Sequence, residues 1–183
     1  VKWGGHTERH LDEQGVERVE WIPQRSVKGV YYGSPIQGYG VNTCNTLTLW
    51  SARAMKELAL DAFNAGDYYR AVEDEVVSET VTKILYPNDE PAAGKQLRLL
   101  QQYFFVSCSL QDILHLIEDL AGSHVRSLPD RVAVQLNDTH QSIAVAELMR
   151  LLMDERHLGW DESWRIPVAT MGYTNHTLLP EAL

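Results

Sequence analysis

Gln135-Leu136-Asn137-Asp138-Thr139-His140 and Tyr173-Thr174-Asn175-His176-Thr177 are the stretches that decide the fold. Each polar cluster follows a short apolar run, Val132 to Leu136 in the first case and Ile166 to Gly172 in the second. Between them, Ile143 to Met153 reads as a helix with Ile143, Leu148, Leu151 and Leu152 on its apolar surface. A second, short helix starts over Trp160 to Trp164, with Asp161 or Gly159 as its cap. Strand, helix and strand make a β-α-β unit whose parallel strands end side by side. Such a unit delivers both clusters to the carboxyl edge of a sheet, where open α/β folds bind ligands. The expected fold class is therefore α/β.

Upstream, residues 1–52 read as β-rich. Val16 to Ile22, Ser26 to Tyr32 and Leu47 to Trp50 carry β-branched and aromatic residues. Gly4-Gly5, Gly29, Gly33-Ser34-Pro35 and Gly38-Tyr39-Gly40 supply turn signals between them. These strands are expected to be antiparallel and separate from the β-α-β layer, which occupies residues 131–183. Residues 53–121 read as helical. Asp67 to Leu85 places Val72, Val76, Thr80 and Ile84 four residues apart, with Val77 and Val81 beside them. Gly94 to Leu120 is a second helix, apolar around much of its circumference, and Gly122 to Asp130 is a polar loop.

Composition narrows the function classes. The net charge of -9 argues against nucleic-acid and anionic-membrane partners, which need an excess of Lys and Arg. No apolar run is long enough to span a bilayer, and no signal peptide is recognisable. Cys44 and Cys108 sit in apolar contexts and read as free buried thiols in a reducing, cytoplasmic compartment. The chain begins Val1-Lys2-Trp3 and ends where Pro180-Glu181-Ala182-Leu183 looks like a starting helix, so a cut from a longer chain is expected.

Asp138, His140 and His176 are the candidates for chemistry. Asp and His placed between strand and helix can hydrogen-bond a polyhydroxyl ligand or a phosphate. Taken alone, Asp138 or Thr139 could do no more than cap the helix. The second cluster, Asn175, His176 and Thr177, arrives at the same edge and favours a functional placement. None of the histidines shows the tight spacing of a zinc site, so no metal is expected. No serine or cysteine lies in a nucleophile elbow, no glycine fingerprint for a dinucleotide occurs, and Gly94-Lys95 lacks the rest of a phosphate-binding loop.

With those residues in place, the chain resembles the α-glucan (glycogen, starch and maltodextrin) phosphorylases. The resemblance is carried by Gly38-Tyr39, Asn45-Thr46-Leu47, Leu49-Trp50-Ser51-Ala52, Leu85-Tyr86-Pro87-Asn88-Asp89 and Gly94-Lys95 with Leu97-Arg98. It continues through Gln102-Tyr103-Phe104, Leu110-Gln111-Asp112-Ile113, the cluster from Gln135 to His140, Glu147-Leu148-Met149-Arg150 and the run from Tyr173 to Leu183. It implies part of the N-terminal Rossmann-like domain of a GT-B type glycosyltransferase. It implies cleavage of a terminal α-1,4-linked glucose by orthophosphate, giving glucose 1-phosphate. It also implies a pyridoxal 5′-phosphate cofactor whose phosphate does acid–base work and whose lysine lies in a C-terminal domain outside this chain.

Residue by residue, the resemblance makes His176 the contact to the glucosyl unit, with its backbone carbonyl facing the anomeric carbon. Asp138 and His140 line the adjacent acceptor side, with Asn175 and Thr177 beside His176. Asn88, Asp89 and Glu90 form a gating loop flanked by Pro87 and Pro91. The helix over residues 67–85 corresponds to the family's homodimer helix. Several positions depart from the family pattern. Glu90 stands where Asn is common and adds negative charge to the gate. Gln141 stands where Pro is usual, which should loosen that turn, and Thr48 replaces a common Arg. Two other readings remain open: a non-catalytic carbohydrate-binding or dimerisation module, and a phosphorylase for another α-glucoside, motivated by Glu90. His115-Leu116 occupy the place of an arginine pair that grips the AMP phosphate in animal enzymes, so the main charge of that anion site is missing. The expected outcome is that AMP does not raise the phosphorolytic activity of an enzyme containing this chain through that site. An AMP-dependent rise would contradict it.

Overall fold

The computed structural model describes residues 1–11, 13–120, 122 and 124–176. The chain divides into two compact units, Val1–Gln101 and Gln102–Leu183.

The first unit contains β1 (Lys2–Trp3), β2 (His6–Leu11), β3 (Glu17–Ile22), β4 (Arg25–Gln37) and β5 (Cys44–Ala54). They are followed by α1 (Leu60–Asn64), α2 (Tyr68–Lys83) and the start of α3 (Ala92–His115). β2 and β3 form one antiparallel hairpin, and β1, β4 and β5 form a three-stranded antiparallel sheet. The antiparallel expectation holds. β4, however, runs straight through Gly29 and Gly33-Ser34-Pro35, which read as turns in the sequence. Local turn preference yields to pairing with β5, whose register extends from Val27↔Ala54 to Gln37↔Cys44. Cross-strand contacts support that ladder: the Tyr31 and Trp50 rings meet edge to face at 5.4 Å. Pro35 is tolerated because β4 pairs there with β5 alone among the described residues.

α2 is capped by Asp67, whose carboxylate accepts the Arg70 N–H at 3.2 Å. It packs on β5, and of the expected stripe only Val81 is fully buried. Ala71, Ser78 and Val81 are its buried residues, whereas Val76 is 59% exposed and Ile84 43% exposed. The face is set by what β5 offers. The Ala52 N–H donates to Thr82 Oγ1 at 3.0 Å, and the small residues Ala52 and Ala71 are both buried. Arg53 pairs with Glu79 at 2.7 Å and Arg25 with Asp74 at 3.2 Å along the flanks. Cys44 corrects another expectation: it is free but exposed, at the outer end of β5, while Cys108 is free and buried. Burial pushes the Cys108 thiol up to about 11.

The second unit contains the remainder of α3, a short turn at Val125–Ser127, and α4 (Leu128–Arg131). Then come β6 (Val134–Asn137), α5 (Ala144–Arg150) with a π-helical turn at Leu151–Glu155, α6 (Trp160–Thr170) and β7 (Met171–Thr174). β6 and β7 are parallel, so the β-α-β unit is present. Its second half differs from expectation. The strand expected from Ile166 to Gly172 is mostly helix, because α6 continues through Pro167 as far as Thr170. Ser163, Ile166, Pro167 and Thr170 are its buried residues, and that spacing is helical. Burying that stripe outweighs the one helical hydrogen bond that Pro167 removes. Likewise, the loop expected at residues 122–130 folds into the Val125 turn and α4, whose Pro129 sits in the first turn where proline is tolerated. Val125 and Leu128 join Leu114, Leu148, Leu151 and Leu152 as fully buried core residues.

A buried ion pair crosses this core. The Glu147 side chain is 1% exposed and that of Arg150 18%. Arg150 Nε donates to Glu147 Oε2 at 2.7 Å and its Nη2 to Oε1 at 2.9 Å. The Ser107 hydroxyl on α3 donates to Glu147 Oε1 at 2.6 Å, and Gln111 donates to Ser107 at 2.9 Å. Burial opposes the Arg150 charge, but hydrogen bonds and charge from Glu147, with Glu155, outweigh it, so its pKa lies above the ordinary value. Burial also pushes the Tyr103 phenol up to about 12, with the Glu147 charge adding to the effect. Removing one partner strands a buried charge. Arg150→Met is therefore expected to cost about 3–5 kcal/mol in urea unfolding. Arg9→Met, which breaks the exposed pair with Glu17, should stay within about 0.5 kcal/mol.

Candidate functional site

β6 and β7 end level with one another, at Asn137↔Thr174. The chain leaves each strand into one of the two polar clusters, and Thr174 ties them together. Its carbonyl accepts the Asp138 N–H at 2.7 Å, and its hydroxyl accepts the Gln135 amide at 2.6 Å. The sequence placed Gln135 and Thr174 in the two deciding stretches but gave neither a role. Polar Gln135 between apolar Val134 and Leu136 was the available signal.

Asp138 is the most constrained residue of the site. It has φ 73° and ψ -177°, in a region that is essentially glycine's own. It is also 8% exposed, and its Oδ1 accepts the Thr139 N–H at 2.9 Å. A non-glycine residue in such a conformation costs about 1–3 kcal/mol and persists only where the surroundings over-determine it. The Thr139–Gln141 turn follows, closed by Ser142, whose N–H and hydroxyl both donate to the Thr139 carbonyl at 3.1 and 2.9 Å. Gln141 ties this turn through its side chain. Its amide donates to the Asn137 carbonyl at 2.5 Å, so a side-chain tie takes the place of a proline ring.

His140, Asn175 and His176 are exposed at this edge. The structure thus brings Asp138, His140, Asn175 and His176 to one side of the β6–β7 pair, while Thr177 lies outside the described residues. A carboxylate, two imidazoles and an amide offer acceptors and donors without a Lys or Arg in either cluster. That set suits a neutral polyhydroxyl ligand better than an anion. Among the described residues no three His, Cys, Asp or Glu side chains gather as a metal site, and no helix is long and apolar enough to cross a membrane.

Asn88, Asp89 and Glu90 belong to the first unit, where all three are exposed. Asn88 Oδ1 accepts the Glu90 N–H at 3.1 Å, and Arg98 pairs with Asp89 at 2.6 Å. The sequence placed Arg98 within a motif but gave it no role. Lys2, Lys28, Lys56, Lys83 and Lys95 are all exposed. A lysine that holds an aldehyde cofactor sits in a pocket closed to water, whereas these five side chains stand in solvent. The residues present therefore do not fit the anchoring of pyridoxal phosphate.

The parallel strand pair with helices between its strands and polar loops at its carboxyl edge makes the second unit an α/β fold, of the architecture in which ligands bind at that edge. The chain belongs to the phosphorylase family, described as carbohydrate phosphorylase, whose model matches residues 1–183. It is 56% identical to the glycogen phosphorylase of Synechocystis sp. over 185 residues, covering 100% of this chain and 21% of the relative. It is 43% identical over 178 residues to the muscle form of glycogen phosphorylase from Ovis aries and to the brain form from Homo sapiens. Each of those matches covers 93% of this chain and 21% of the relative. The chain thus spans about a fifth of the length of these relatives.

Asp138→Gly separates strain from function. It releases about 1–3 kcal/mol of backbone strain and forfeits a charge-assisted hydrogen bond worth about 1.5–3 kcal/mol. Its unfolding free energy is therefore expected within about 2 kcal/mol of the parent chain, by urea titration. Asp138→Ala loses the bond without relieving the strain and should be less stable than Asp138→Gly.

Proposed function

We propose that this chain forms one wall of the glucosyl-binding cleft of an α-1,4-glucan phosphorylase, which transfers a terminal glucosyl unit to orthophosphate and yields glucose 1-phosphate. The observation that carries the reading is the strained, nearly buried Asp138, bonded through its backbone to Thr174 at the mouth of both clusters. Strain of this kind gathers at functional sites. Family membership and the glycogen phosphorylase relatives support the same reading and do not favour a non-catalytic module.

In this reading His176 contacts the glucosyl unit. Its backbone carbonyl stabilises the positive charge that develops at the anomeric carbon in an oxocarbenium-like transition state. Asp138 and His140 bind hydroxyls on the acceptor side, with Asn175 and Thr177 beside them. Asn88, Asp89 and Glu90 form a loop that closes over the substrate. The whole enzyme is of GT-B type, residues 1–183 are part of its N-terminal Rossmann-like domain, and α2 with its flanks (67–85) forms a homodimer contact. Pyridoxal 5′-phosphate is held by lysine and phosphate-binding groups outside this chain, and the enzyme is cytoplasmic.

The test is orthophosphate-dependent release of glucose 1-phosphate from maltodextrin by the full-length enzyme loaded with pyridoxal phosphate, with residues 1–183 alone as control. Activity in the full-length protein and none in the control is the expected result. A folded, cofactor-loaded enzyme without activity would overturn the reading for α-1,4-glucans. His176→Ala removes the imidazole contact to the glucosyl unit and keeps the backbone carbonyl, so kcat/KM should fall by about tenfold, the worth of one hydrogen bond.

A further inference from the structure

One face of α3 holds both ends of the segment that joins it to α2. Near the α2 end, the Gln101 amide donates to the Val81 carbonyl at 3.1 Å and to the Ile84 carbonyl at 2.5 Å. Near the α3 end, the Asn88 carbonyl lies against Gly94, so close that a β-carbon at 94 would overlap it. Between these two anchors Arg98 Nη1 meets Asp89 Oδ2 at 2.6 Å. Positions 94, 98 and 101 are four and three residues apart, so they fall on one side of the helix. The loop also bonds within itself and onto the first turn of α3. Asn88 Oδ1 accepts the Glu90 N–H, and the Pro91 carbonyl accepts the Gly94 N–H at 3.0 Å and the Lys95 N–H at 3.2 Å.

We propose that Arg98 is a positioning residue: with Gly94 as the seat and Gln101 as the far anchor, it latches Asn88, Asp89 and Glu90 onto α3 and so fixes how that loop meets substrate. The inference rests on the proposed role of the loop in substrate contact. The division of labour follows from the chemistry. Gly94 gives a shape that only a residue without a β-carbon permits. Gln101 bonds the carbonyls at the end of α2, which have no partner within their helix. The Arg98–Asp89 pair is half exposed, at 43% and 55% for the two side chains, so it is open to salt and can be released. A latch of that kind biases a loop without locking it. Arg is suited to it because its planar fork orients the carboxylate as well as attracting it.

The test uses the full-length enzyme with Arg98→Ala, Arg98→Lys, Asp89→Asn and the Arg98→Ala/Asp89→Asn double variant. The first readout needs no substrate: amide hydrogen exchange over residues 88–90. Exposed ion pairs shift such equilibria by roughly two- to fivefold, and exchange in Arg98→Ala should accelerate by about that factor, with Arg98→Lys between it and the parent. The second readout is steady-state phosphorolysis. KM for glucan should rise by a similar factor with kcat little changed, the double variant should match Asp89→Asn alone, and high salt should raise KM for the parent but not for Arg98→Ala. Unchanged exchange at 88–90 in Arg98→Ala, or independent effects of the two substitutions, would overturn the latch. If the parent enzyme shows no phosphorolysis, the functional reading fails by itself, and the exchange measurement still decides whether Arg98 holds the loop.

Discussion

The hydrogen bond from the Asp138 N–H to the Thr174 carbonyl is the constraint on which the site depends. It forms one residue beyond the last paired position of β6, at the point where both strands stop pairing. To make it, Asp138 takes a positive φ that its side chain disfavours. The Asp138 carboxylate then caps the turn that follows. A single backbone geometry thereby fixes where β6 ends, where the next turn begins and which residues of the β7 cluster stand alongside.

Support for that geometry comes from the core behind it. α5 starts soon after the Thr139–Gln141 turn and carries Glu147 inward. There the carboxylate is held by two Arg150 nitrogens and by Ser107 of α3. A buried ion pair of this kind adds little net stability compared with a well-packed apolar pair. It does specify one arrangement of α5 against α3, because any shift strands a charge. The surrounding leucines, from Leu114 to Leu152, supply the burial energy that makes the arrangement affordable.

How much of this was legible in the sequence depends on which force decides each element. The β6 strand and its polar cluster were readable because a short apolar run gives way abruptly to Asn137-Asp138-Thr139-His140. The extent of α6 was not. Pro167 together with Ile166, Val168 and Thr170 imitates a strand, and only the buried Ser163, Ile166, Pro167 and Thr170 face reveals a helix. The buried side of α2 was legible at Val81 and not at Ser78, for a related reason. Val76 is more apolar than Ser78, yet Ser78 is the buried one because small residues let the helix approach β5. At the site, the residue types were legible and the ties were not. Gln141 bonding the Asn137 carbonyl, Gln135 bonding Thr174 and Arg98 bonding Asp89 are side-chain hydrogen bonds that no spacing rule singles out.

The most direct test of the central claim is a crystal structure of the full-length enzyme with a short α-1,4-linked oligosaccharide bound. The account predicts sugar hydroxyls within hydrogen-bond distance of Asp138 or His140 and a glucosyl unit against His176, with Asp138 still at positive φ and bonded to Thr174. An oligosaccharide bound elsewhere, with the two loops buried against other polypeptide, would contradict it.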